Sequence, residues 1–353
     1  MRPLVLMVPG RLDTSTGGYI YDRRMVAGLR DRGWPVVVRE LDGSFPNPTS
    51  AAYDDAVRAF GEVPDESIAV VDGLAGGALP ELIEREASRL RIIALVHHPL
   101  ALETGIDDAV AARLVASERR TLGAVRTVIV TSRATASAVT GYGVNAARVS
   151  IVEPGTDRAP LAAGSRDVRC ELLCVAALIP RKGHAVLFRA LALVPREDWR
   201  LTCVGSLERD PVTVRRLREE LRALGLERRV SLSGEVDLAG LARLYDRTDL
   251  FVLATEYEGY GMAVAEALAR GLPVISTPTG AIPELVNDEA GILVRPGDSE
   301  ALAAALTRVL GDSQLRERFR DGASRVRERL PTWETAVAQM ASVLERVGHD
   351  IQR

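Results

Sequence analysis

The sequence predicts an α/β protein built from two doubly wound domains. Three observations carry that expectation. Short apolar runs alternate with longer helical patterns along most of the 353 residues. The runs are apolar at successive positions, as in strands covered on both faces. The alternation breaks off once, over residues 155–169, and then begins again. A chain of this length also exceeds one ordinary hydrophobic core.

The elements follow in order. Strand-like runs lie at 4–8, 36–38, 68–71, 92–96, 128–130 and 149–152. Helical patterns between them include 19–32, stopped by Gly33, then 80–90 and 107–122. Gly, Ala, Pro and charge crowd the break, which reads as a linker. Strand-like runs resume at 172–177, 201–204, 230–232, 250–253, 274–276 and 292–294, with helices at 185–193, 212–224 and 238–247. A last helical stretch covers 333–347. The predicted organisation is a first domain at 1–158, a linker at 159–169, a second domain at 170–330 and a terminal helix within 331–353. Ligands of such sheets bind beyond the carboxyl ends of the strands, so the loops after strands are where chemistry is sought.

Composition excludes several classes. The net charge is −3, with no basic run to attract nucleic acid. Residues 1–158 hold 18 arginines against 20 acidic residues, which disfavours attraction to an anionic bilayer. The apolar start at 3–9 is too short for a signal-peptide core, and no run reaches the length of a membrane span. Cys170, Cys174 and Cys203 lie in or beside strand-like runs and read as buried free thiols. These features set the expectation of a cytoplasmic protein. Lys182 is the single lysine among 45 basic residues. A compact ammonium where arginine serves everywhere else points to a chemical need.

Four loops are candidates. Glu258-Gly-Tyr-Gly-Met-Ala-Val-Ala-Glu266 follows the run at 250–253. Gly259 and Gly261 allow close backbone approach, and a helix starting near Met262 aims free N–H groups at the loop, which suits phosphate or sugar oxygens. The helix is otherwise apolar all round, so Glu266 is expected buried. It either binds a vicinal diol such as a ribose or is a first-turn glutamate paired with an internal arginine. Ile179-Pro-Arg181-Lys182-Gly183-His184 follows the run at 172–177, and two adjacent cations there suit a diphosphate. His97-His98 follows the run at 92–96, where a histidine can meet a sugar hydroxyl or an acceptor; no carboxylate-rich spacing suggests a metal. Thr16-Gly17-Gly18 forms a glycine-lined loop between the first strand and first helix, without the full dinucleotide fingerprint.

Taken together, these residues resemble the retaining glycosyltransferases of GT-B fold, group 1 or family 4-like. Two glutamates separated by seven residues, Glu258 and Glu266, match that family's motif, and ALARGLPVIST and GILVRP resemble its second domain. The resemblance implies two facing Rossmann-like domains, with the final helix crossing back to the first. It implies transfer of a hexose-type sugar from a UDP- or GDP-sugar, without metal or other cofactor. The leaving phosphate would take the acceptor's proton. Glu266 would hold the ribose and Glu258 the transferred sugar, helped by N–H groups near Gly261 and Met262. Lys182 and Arg181 would neutralise the diphosphate. Val236 would meet the base, His97 the sugar, and Gly18 would lie near the reacting centre. Ala176-Ala177 stands where the family often has Gly-Arg, so Arg181 is the candidate replacement.

Residue chemistry leaves rivals: a nucleotide-sugar epimerase or hydrolase, or a non-catalytic nucleotide-sugar-binding protein on the same fold. A pyridoxal phosphorylase is disfavoured because the single lysine already sits in the diphosphate loop. The acceptor is expected to be small and soluble. Its identity, the donor base and the oligomeric state are not encoded in any motif found.

Overall fold

Parallel strands make up both sheets of the computed structural model, which describes residues 3–165 and 167–349. The chain divides into two compact units. One comprises residues 1–155 together with 331–353, the other residues 156–330.

The first unit runs β1 (Leu4–Pro9), α1 (Gly17–Asp31), β2 (Val36–Leu41), α2 (Ser50–Gly61), β3 (Ile68–Asp72), α3 (Gly73–Gly76), α4 (Pro80–Glu86), β4 (Arg91–Val96), α5 (Asp108–Ala124), β5 (Thr127–Val130), α6 (Arg133–Gly141) and β6 (Val149–Ile151). Its sheet order is β2-β1-β3-β4-β5-β6. β1 and β4 are buried at every position, as a sheet covered on both faces requires. Short polar side chains start the helices: Thr16, Asp107 and Ser132 accept from N–H groups of α1, α5 and α6. The Thr16 cap starts α1 at Gly17. Gly17 and Gly18 therefore form its first turn, which corrects the expectation that they lie in a loop ahead of the helix.

The second unit runs β7 (Cys170–Val175), α7 (His184–Leu193), β8 (Trp199–Val204), α8 (Pro211–Ala223), β9 (Val230–Leu232), α9 (Leu238–Asp246), β10 (Leu250–Val252), α10 (Met262–Leu268), β11 (Val274–Ser276), α11 (Ile282–Val286), β12 (Gly291–Leu293), α12 (Ser299–Gly311) and α13 (Ser313–Arg327). Its order, β12-β11-β10-β7-β8-β9, is the doubly wound order in which the chain reverses direction between β7 and β10. The described residues of the segment read as a linker have no regular structure, yet they are tied to this unit. Ala162 N donates to Arg270 O at 2.9 Å, and Gly164 N to Asp246 O at 2.9 Å.

α14 (Trp333–His349) completes the first unit. Val337, Met340, Leu344 and Val347 share a core with Leu4, Leu6, Met25 and Leu29. Gly28 makes the close α1–α14 approach possible, since a Cβ there would stand 2.5 Å from Val337 Cγ2. No described helix is long and apolar enough to cross a membrane.

Candidate functional site

In the second unit the strand order reverses between β7 and β10, so the segments leaving those strands, 176–183 and 253–261, meet where ligands of such sheets bind. Pro180 opens a single tight turn over Pro180–Lys182, and Gly183 closes it at φ 67°. A Cβ on Gly183 would lie 1.9 Å from the Ala254 carbonyl oxygen, so only glycine lets the two loops touch. Glu256 N donates to Arg181 O at 2.8 Å, and Thr255 Oγ1 donates to the same oxygen at 3.1 Å. Arg181 Nη1 returns a bond to Tyr257 O at 2.6 Å.

Between these loops, Lys182 Nζ lies 2.5 Å from Glu258 Oε1. Both side chains are largely buried, at 16% and 11% exposure. Burial pulls the Lys182 ammonium below the usual lysine range, while Glu258 works against that loss and Arg181 adds to it. The structure thus brings together three predicted residues, Arg181, Lys182 and Glu258. The arginine's bond to Tyr257 anchors the second loop.

Gly261, at φ 94°, starts α10, whose first N–H groups have no partner within the helix. Glu266 lies one turn on. It is half-buried beside half-buried Met262 and Ala263, so α10 is not enclosed on all sides as its apolar sequence implied. Tyr245 donates its hydroxyl to Glu266 Oε2 at 3.1 Å, and Arg270 stacks on the Tyr245 ring at 4.2 Å while binding Glu266 O. The internal arginine thus reaches the main chain of Glu266, and a tyrosine reaches its carboxylate. Tyr245 was not singled out by sequence; its place on the buried face of α9 was the available signal. Val236 is in the loop between β9 and α9, 36% exposed, and exchanges no bond with the other candidates.

Behind Lys182, two of the thiols converge. Cys174 and Cys203 face each other in register on β7 and β8, and His184 Nε2 lies 3.7 Å from Cys174 Sγ. The sequence predicts three buried free thiols; Cys174 and Cys203 are buried, while Cys170 is only half-buried. His184 Nδ1 is buried without a partner among the described residues, so the proton of a neutral ring belongs on Nε2, pointing at sulfur. A hydrogen bond from Cys203 holds the Cys174 thiol below the usual range, and His184 adds to that.

The first unit has its own cluster. His97 follows β4, Asp72 ends β3 and Asp22 lies on the buried side of α1. His97 Nε2 is 3.1 Å from Asp22 Oδ1 and 3.7 Å from Asp72 Oδ2. Gly18 packs against the ring: a Cβ there would stand 3.3 Å from His97 Cδ2. Burial disfavours charge on His97, but Asp22 and Asp72 outweigh it and raise the imidazole above its usual value. Burial, with the Asp22 charge, pushes Asp72 up to about 7. His98 turns elsewhere, 3.7 Å from Glu103. Neither aspartate was found by sequence, because Asp72 looks like an ordinary helix cap and Asp22 like a charge on a solvated helix face.

Two units of parallel sheet with these loop sites define a GT-B fold, and solved structures share it. Sucrose-phosphate synthase of Thermosynechococcus elongatus superposes with a TM-score of 0.82 at 22% identity, over 98% of this chain and 99% of that one. Anabaena HepE in complex with UDP-glucose gives 0.79 at 20%, over 98% and 100%. Residues 163–326, within the second unit, match the model of glycosyl transferases group 1. Among curated relatives, the MMP alpha-(1->4)-mannosyltransferase of Mycolicibacterium hassiacum is 28% identical over 72% of this chain and 65% of its own length. A D-inositol 3-phosphate glycosyltransferase of Thermomonospora curvata is 31% identical over 69% and 62%. The chain therefore spans somewhat less than two thirds of these relatives.

Proposed function

We propose that the chain is a retaining glycosyltransferase that moves a hexose-type sugar from a UDP- or GDP-sugar to a small soluble acceptor. The observation that carries this is the Lys182–Glu258 pair at the strand reversal of the second unit. The only lysine faces a carboxylate there, within a loop pair that glycine brings into contact. The diphosphate takes the place of Glu258 beside Lys182, and Glu258 turns to the hydroxyls of the transferred sugar. Arg181, where the family often has an arginine a few residues earlier, steadies the loop and adds charge. Glu266, oriented by Tyr245, takes the ribose hydroxyls, and Val236 offers an exposed backbone edge to the base.

The mechanism follows from charge development. Departure of the nucleoside diphosphate places negative charge on phosphate, which Lys182 and Arg181 stabilise from fixed positions. That arrangement needs no metal ion. The departing phosphate accepts the acceptor's proton on the face it leaves, which retains configuration. His97 and Gly18 serve the sugar or the acceptor. The relatives' names, a mannosyltransferase and an inositol 3-phosphate glycosyltransferase, support a small polar acceptor.

The test is a binding screen of UDP, GDP and ADP and their sugars by calorimetry, followed by incubation of the bound donor with polyols, sugars and sugar phosphates. Mass spectrometry then identifies the product, and its anomeric proton coupling reports the configuration. An axial donor giving an equatorial product, or donor hydrolysis alone with every acceptor, would sink the proposal.

A further inference from the structure

Asp22 has an unusual position for a carboxylate. It is 1% exposed, on a helix face otherwise lined by Tyr21, Met25, Val26 and Leu29. Burying a charge there is costly unless something repays it in hydrogen bonds. Its Oδ1 meets His97, while Oδ2 is buried with no partner among the described residues. A half-satisfied buried carboxylate is a poor structural element, since removing it would relieve the unsatisfied oxygen. Asp22 is therefore explained by His97 and not by packing.

The ring geometry says what the contact does. Nε2 faces two carboxylates, Asp22 from α1 and Asp72 from the end of β3, and a nitrogen between acceptors carries a proton. The other titratable group against the ring is Tyr21, edge-on at 5.1 Å. Its hydroxyl is spent on Val152 O at 3.1 Å, and burial holds it neutral. Gly18 closes the Cδ2 side. Nδ1 has no bond to any described residue, and the side chain is 19% exposed. Nδ1 is thus the polar atom left for a ligand. On a neutral ring it is a lone pair; on a doubly protonated ring it is a donor.

We propose that Asp22 is the positioning residue of the first unit's site: it fixes the His97 ring through Nε2, assisted by Asp72, and makes Nδ1 a charged hydrogen-bond donor to a substrate oxygen. The oxygen is a sugar hydroxyl or an anionic oxygen of the acceptor. This rests on the reading that His97 meets the sugar or acceptor. Asp22 touches no substrate; it acts through the ring.

The experiment uses the full chain with 15N-labelled histidine. Four histidines, His97, His98, His184 and His349, give a spectrum in which His97→Gln assigns the signal. The neutral ring should be protonated at Nε2, and its titration midpoint should lie above 6.5, the ordinary value. In Asp22→Asn the midpoint should fall by about one pH unit or more, a tenfold change in proton affinity. Asp72→Asn should lower it less, because its oxygen is farther away. Turnover should be lost as pH rises through each midpoint, so the alkaline limb of kcat moves to lower pH in Asp22→Asn while donor KM stays within about twofold. His97→Gln should have no such limb. A wild-type midpoint at or below 6.5, or a limb unmoved in Asp22→Asn, overturns the proposal, and the wild-type titration needs no variant to fold. Full turnover in His97→Gln with nucleotide bound overturns the substrate contact and this inference with it. A chain that binds no nucleotide sugar overturns the transferase reading instead, and the titration midpoints still decide whether Asp22 controls the ring.

Discussion

Each unit has one ionic cluster at the carboxyl ends of its strands, and the two are built on opposite plans. In the second unit a cation and an anion come from two loops that follow strands, and the pair neutralises itself. In the first, an imidazole sits between two buried carboxylates drawn from a helix and a strand end. On the proposed reading the loop pair can exchange partners, its counter-ion being a side chain that the donor's diphosphate would displace. The imidazole cluster cannot, because its carboxylates are buried in the core. One plan suits a charge that must be captured and released, the other a donor that must stay aimed.

That contrast can be broken most directly at Lys182. Lys182→Ala should lower turnover at saturating donor by about 10²–10³-fold, as for the loss of one oxyanion donor. Lys182→Arg should recover only part, because a planar fork does not reproduce a point charge. Steady-state kinetics with circular dichroism to verify folding decides it; a folded Lys182→Ala enzyme with native turnover would shift the burden to Arg181. The next effect belongs to the first unit. His97→Ala should reduce turnover by about 10–100-fold and leave nucleotide affinity unchanged by calorimetry. A large loss of affinity would place the histidine at the nucleotide.

Glu258→Gln sharpens the idea of partner exchange. Removing the internal counter-ion should tighten binding of the bare nucleoside diphosphate by about 2–10-fold, while turnover falls because a sugar contact is lost. Weaker binding of the diphosphate would show that Glu258 does not compete with it.

A smaller effect is a matter of stability. Burial pushes Glu118 up to about 7, although Leu100 N and Ala101 N donate to it. The folded state then holds a proton that the unfolded chain releases from about 4.5 upward. Stability from this group is full below that value and is lost as pH rises through about 7. Glu118→Gln should therefore be worth about 1–3 kcal/mol more at pH 8 than at pH 4 relative to wild type, read as a difference in denaturant midpoints. A difference independent of pH would mean the carboxyl titrates normally. The smallest expected effect is none: excess EDTA should leave the initial rate unchanged. Complete loss, restored by Mg²⁺ or Mn²⁺, would show that Arg181 and Lys182 do not suffice.

The same contrast explains what could be read in advance. The parallel sheets were legible because buried strands such as β1 and β4 are apolar at successive positions and most strands are followed by a helix, several of them begun by a capping side chain as at α1, α6, α8 and α9. Lys182 and Glu258 were legible because they stand in short segments directly after strands, where the polypeptide itself advertises the loop. Asp22 was not. Its neighbours Tyr21, Arg23 and Arg24 give it the look of a solvated helix face, and its partner is 75 positions away. Tyr245 was hidden for the same reason, 21 positions from Glu266. The burial expected for Glu266 failed because alanine leaves a helix face open as readily as it fills one.

The final helix has a consequence for the order in which the molecule can be made. Residues 156–330 form a unit from one uninterrupted stretch, which can fold as soon as it leaves the ribosome. The first unit cannot. Leu4, Leu6, Met25 and Leu29 are covered by Val337, Met340 and Leu344, which are synthesised more than 300 residues after the first strand. During translation the earlier-made unit waits with an apolar face uncovered while the later-made one is completed. A nascent chain stalled before residue 331 should accordingly carry a protease-resistant second unit and a first unit that holdase chaperones still recognise.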